Sequence, residues 1–244
     1  MNSHNALLER VRKLLAKAEA QGVTPAEAEA LTAKAAELIA RHGIDRALLA
    51  AARPETDQPD NKIMDLPNPW GRVKAHLLCG LAAAMRCQAI LTAGSPGSVR
   101  VHVFGYRSDL ERLDLLYTSV LLQQASGLQQ ARVPGWAQSP RAWRRSWLLG
   151  FATAVIAKVR AAEHAAATQA ASPEATGSSR AALVLADRAQ VIRGEAGRAY
   201  PLTRSARVTY TGTGYRDGYA EGGRANIGGT RLTPNPASQA RPLS

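Results

Sequence analysis

Arg141, Arg144 and Arg145 are interleaved with Trp143, Trp147 and Phe151. Guanidinium groups among flat rings are the chemistry of phosphate contact and base stacking. Trp143, Trp147, Phe151 and Val155 recur every four residues, however, which is the spacing of a buried helical stripe. The aromatics therefore read as core and the three arginines as its solvated flank, available to phosphates. Other reactive side chains are dispersed. His4, His42, His76, His102 and His164 form no HExxH and no pair at metal-ligand spacing, so neither a metal nor another cofactor is expected. There is no GxSxG elbow and no CxxC pair, and Cys79 and Cys87 read as buried free thiols. Glu27, Glu29 and Glu37 share one helix, but acidic residues in a first helical turn are explained by the helix dipole. His102 and Asp109 flank Gly105 and would need the tertiary fold to bring them together. No catalytic residue is assigned.

The strongest local signal lies between Leu7 and Leu49. Leu7, Leu8, Val11, Leu14, Leu15 and Ala18 fall on one stripe of a helix, and Gly22 breaks it. Thr24-Pro25-Ala26-Glu27 is a capping box with proline at the first helical position. Ala28, Leu31, Ala35, Leu38 and Ile39 make the second stripe. His42 then suits the negative end of the dipole, and Gly43 is expected to close the helix. Asp45 would cap a short third helix through Leu49. Two such helices serve either as a DNA reader or as a packing unit. Pro25, Ala26, Glu27 and Glu29 would face the phosphates of a reader, so packing is favoured.

Residues 53–69 are rich in Pro, Asp and Asn and read as a linker. A helix is expected from Trp70 to about Met85, then strands over CQAILTA and SVRVHVFG joined at Gly94–Gly97. Ser108-Asp109-Leu110-Glu111 looks like a second capping box, opening a helix to about Gln130. Ser139-Pro140 opens another. SPEATGSS reads as a flexible connection, AALVL as a third strand, and 187–198 as weakly helical. The glycines of TGTGYRDGYAEGGRANIGG lack both GxGxxG and P-loop spacing. Tyr215, Gly218, Gly222 and Ile227 suggest instead a helix that admits another backbone closely.

The expected class is α+β: an N-terminal helical hairpin (1–52), a linker (53–69), a mainly helical domain with a small antiparallel sheet (70–232) and a disordered tail (233–244). The 244 residues, 45% apolar, suffice for a substantial core. The charged N-terminus and the absence of any apolar run near 20 residues predict a cytoplasmic protein with no membrane association. The net charge of +12 is uneven: residues 1–131 contribute +2 and the remainder carries the excess. A basic bias in one half points to a polyanionic partner.

The segment KLLAKAEAQGVTPAEAEALTAKAAELIARHGID resembles the N-terminal motif of a bacterial and phage family, domain of unknown function 2786. The resemblance rests on Leu14-Leu15, Thr24 through Glu29, Lys34 through Leu38 and His42 through Ile44, and Trp70, Gly105, Tyr117 and Tyr215-x-x-Gly218 fit its usual companion region. It implies a cytoplasmic protein with an α+β companion domain, and no activity. The leading functional expectation is a non-enzymatic accessory protein, of phage or mobile-element type, that binds nucleic acid through Arg141, Arg144 and Arg145. A protein-interaction module docking a partner helix on the hairpin through Ala28, Ala35 and Ala36 is the second. The third is a hydrolase or nuclease, which would require His42, His102 and two carboxylates in one cleft.

Overall fold

The computed structural model describes residues 25–171, 178–204, 212–225 and 227. The first helix of the expected hairpin, with Leu14, Leu15 and Thr24, lies outside the described residues, as do most of SPEATGSS and the tail. Among the described residues the order is α1 (Pro25–Ala52), a 3-10 turn (Pro54–Thr56), β1 (Pro59–Pro67), α2 (Gly71–Ala84), β2 (Gln88–Thr92), β3 (Ser98–Tyr106), α3 (Arg107–Gln130), α4 (Pro140–Ala170), α5 (Ser178–Ala199) and α6 (Tyr215–Arg224). The class is α+β.

The sheet is antiparallel with strand order β1-β3-β2. β3 is its centre because its alternation suits a strand covered on both sides. Val101 and Val103 enter the main core, while Phe104 on the opposite face packs with Ile192 and Ala196 of α5. β1 pairs along its whole length, from Pro59 opposite Tyr106 to Pro67 opposite Ser98. This corrects the linker expectation for that stretch. Pro59 and Pro67 sit at the two ends of an edge strand, where a missing N–H is tolerated.

α2 lays Val73, Leu77, Leu78 and Leu81 onto the sheet's inner face, and α3 adds Leu113, Leu116, Tyr117 and Val120. The stripe of α4 completes this core, with Trp143, Trp147, Phe151 and Val155 all buried as its spacing predicts. Ser139 caps α4 by accepting from the Ala142 N–H at 3.2 Å.

Three local expectations are corrected. α1 does not end at Gly43. It runs on to Ala52, and Ala40, Ile44, Ala47 and Ala50 form one buried stripe across the glycine. A β-carbon on Gly43 would lie 1.9 Å from Arg112 Nη1, so the glycine makes room for a guanidinium rather than for a turn. At α3 the Ser108 hydroxyl does not cap locally: it donates to Asp57 Oδ2 at 2.7 Å, and the Ser108 N–H donates to Asp57 Oδ1 at 3.0 Å. A carboxylate 51 residues away does the capping. AALVL is the start of α5, not a strand. A short apolar run fits either state. Here Ala181, Arg188, Ile192 and Ala196 share one buried helical stripe, and Leu183 is left 70% exposed.

Candidate functional site

Polar chemistry is concentrated in two places, one buried and one at the surface. The buried one gathers three arginines and three carboxylates. Arg86 donates through Nη1 to Glu163 Oε2 at 2.7 Å and reaches Asp109 Oδ1 at 3.5 Å. Arg112 donates to Asp109 Oδ1 at 2.9 Å and to Glu163 Oε1. Arg188 donates to Asp57 Oδ2 at 2.7 Å and Asp109 Oδ2 at 3.2 Å, with its guanidinium 3.5 Å from the centre of the Tyr106 ring. These residues come from the turn before β1, the end of α2, and α3, α4 and α5, while Gly43 brings α1 against Arg112. The cluster thus ties α1, α3, α4 and α5 to the chain just after α2 and to the turn before β1. Its charges balance, so it contributes nothing to the net charge of +12.

Burial quiets the two thiols. Burial first, and the Asp109 charge second, push the Cys87 thiol up to about 12, while burial pushes Cys79 up to about 11. Thiols held so far above neutrality are poor nucleophiles. Both are free, with Cys87 buried and Cys79 half-buried.

His102 and Asp109 are committed to different partners. The His102 ring bonds Tyr200 Oη through Nδ1 and Asn61 Oδ1 through Nε2, each at 2.9 Å. It stacks near Phe104, with ring centres 4.2 Å apart, and desolvation lowers its pKa. Asp109 spends both oxygens on arginines. His42 is half-buried on α1, His76 is half-buried on α2 and His164 is exposed on α4. Among the described residues no three His, Cys, Asp or Glu side chains gather as a metal site.

The surface site is built on α4 and α6. Arg141, Arg144, Arg145 and Arg160 of α4 are exposed. The helix has one carboxylate, Glu163, and that is buried in the ionic cluster. α6 lies directly on α4 because glycines remove the spacer between them. β-carbons on Gly214, Gly218 and Gly222 would stand 2.5, 1.9 and 2.4 Å from the carbonyl oxygens of Trp143, Trp147 and Phe151. Each step of four on α6 meets a step of four on α4, so the helices run parallel. Gly150 answers from α4, where a β-carbon would lie 2.0 Å from Tyr215 O. The GxxxG-like spacing was legible in the sequence as close backbone approach, and its partner was not.

Between the end of α3 and this helix pair lies a groove of about 420 Å³. Arg132, Trp143, Asp217, Glu221 and Arg224 are among its lining residues. Sequence reasoning missed it, because its walls come from segments some 85 residues apart. The other flank of α6 exposes Tyr215 and Tyr219, stacked with ring centres 6.2 Å apart. No described helix is long and apolar enough to cross a membrane.

Residues 6–46 match the family model described as Protein of unknown function (DUF2786). That segment is the one whose motifs carry the resemblance, and it includes α1 as far as Arg46. No curated protein and no solved structure matches the chain.

Proposed function

We propose that this chain is a non-enzymatic, cytoplasmic accessory protein that binds nucleic acid through the basic outer face of α4. One observation carries the reading. The sole carboxylate of α4 is withdrawn into the ionic cluster, while Arg141, Arg144, Arg145 and Arg160 are all exposed on the same helix. From Arg141 to Arg160 the helix spans about 28 Å at about 1.5 Å per residue, long enough to follow several phosphates. A partner helix docking on α1 ranks second, because Ala40, Ile44, Ala47 and Ala50 already spend that half of the helix inside the chain.

Fluorescence anisotropy with mixed-sequence DNA and RNA tests the reading. Binding is expected at low salt, and log affinity should fall linearly with log salt concentration as counterions are released. Absence of binding to either polymer at low salt overturns it.

A further inference from the structure

The nucleic-acid reading leaves open which form is bound, and two features outside the arginine face of α4 bear on that. Trp136 is 68% exposed, whereas Trp143 and Trp147 are each 2% exposed. The stacking surface that the sequence offers at Trp143 and Trp147 is thus consumed by the core, and Trp136 is the indole left to solvent. It sits in the connection between α3 and α4, in a turn where the Ala137 N–H donates to Pro134 O at 3.0 Å. Arg132 and Arg141, both exposed, stand on either side of it in the chain.

The second feature is the groove. Its lining includes Trp143, whose indole Nε1–H is buried and has no acceptor among the described residues. A buried donor left unpaired costs free energy, and this one lies in the wall of the groove. Arg132 on the wall adds further donors and Asp217 an acceptor, a mixture that suits a base edge carrying both carbonyl and N–H groups. The connection bearing Trp136 runs from the groove wall at Arg132 to the groove lining at Trp143. Four residues at about 3.6 Å each keep Trp136 within about 15 Å of Arg132.

Resting on that reading, we infer that the nucleic acid is single-stranded, with an unpaired base stacked on Trp136 and a neighbouring nucleotide held in the groove beside Trp143. A duplex keeps its base faces stacked on each other and its edges paired, so it offers neither a face to Trp136 nor a free edge to Arg132 and Asp217 in the groove. An open strand offers both.

The test uses the full chain and fluorescein-labelled oligonucleotides about 20 nucleotides long, long enough to exceed the site of a typical single-strand binder. They are single-stranded DNA, the same sequence in RNA, and duplex DNA, all at equal salt. A single strand should bind at least about tenfold tighter than the duplex. Trp136→Ala should weaken single-strand binding about tenfold, Trp136→Phe should restore most of it, and duplex binding should be unchanged by both. Trp136 is exposed, so thermal melts of the variants should superimpose on the wild type. In a ¹H–¹⁵N spectrum of the indoles, the Trp143 signal should move on titration with the single strand. Equal affinity for single strand and duplex, or a Trp136→Ala variant that binds both as the wild type does, overturns the inference and leaves the nucleic-acid reading standing. No binding to any of the three polymers overturns both.

Discussion

Arg86 holds a backbone position that glycine ordinarily takes. Its φ of 65° is left-handed, and it follows α2 where the Cys87 N–H returns to Ala82 O at 2.9 Å, the bond that ends a helix in a left-handed cap. An arginine accepts that strain because its side chain is needed below, between Glu163 and Asp109. Asp109 is the hinge of the whole cluster, since it faces all three arginines from a site 2% exposed. Asp109→Asn removes the charge while keeping the shape, and leaves two buried guanidiniums and the half-buried one of Arg86 sharing two carboxylates. It should cost about 3–5 kcal/mol, as loss of one partner from a buried ionic group does. Urea denaturation of the full chain measures this, and a midpoint unchanged from the wild type would rule out the cluster as a tie between layers. None of these roles was legible locally. Asp109 fits a capping box in its own four residues, and its real partners lie on other elements.

At the scale of elements, the glycines separate by what stands opposite them. Gly218 abuts the Trp147 carbonyl, so Gly218→Ala drives a methyl group into backbone that cannot yield without moving α6 off α4. A loss of about 1–3 kcal/mol is expected. Gly194 lies inside α5 with open space where a β-carbon would go. There Gly194→Ala should gain about 0.5–1 kcal/mol, because alanine orders a helix at lower entropic cost. Denaturant midpoints of the two variants should therefore move in opposite directions with unchanged slopes. Gly43 shows why sequence spacing misleads at such sites. A glycine well downstream of a helix cap looks like a stop, and only the guanidinium of Arg112 shows that it is a gap.

For the molecule as a whole, the placement of charge matters more than its sum. The six charges of the ionic cluster cancel, five of them on buried side chains, and exposed pairs such as Arg100–Asp65 cancel locally, so among the described residues the basic excess lies outside the cluster. Replacing Arg141, Arg144 and Arg145 together by Ala should leave the melting profile near that of the wild type, because all three are exposed. The salt dependence should change instead. The log–log slope should flatten by about 0.7 for each single-strand phosphate that the variant no longer neutralises, close to 2 if all three arginines bind phosphate. A slope equal to that of the wild type would place the binding surface elsewhere.

The helices α2, α3 and α4, the strands β2 and β3, and the packing face of α6 were determined by the sequence itself. In each, the decisive information is periodicity within one element: apolar residues at three or four, valines at two, glycines at four. The tertiary structure decided everything whose cause lies across the chain. Pro59–Pro67 is a strand because β3 offers it an edge, and AALVL is helical because its register continues into Ile192 and Ala196. Ser108 is capped by Asp57, and Gly43 yields to Arg112. The same distinction separates the tryptophans. Their spacing identified Trp143 and Trp147 as core, but exposure depends on what packs against a side chain, and only the fold left Trp136 in solvent.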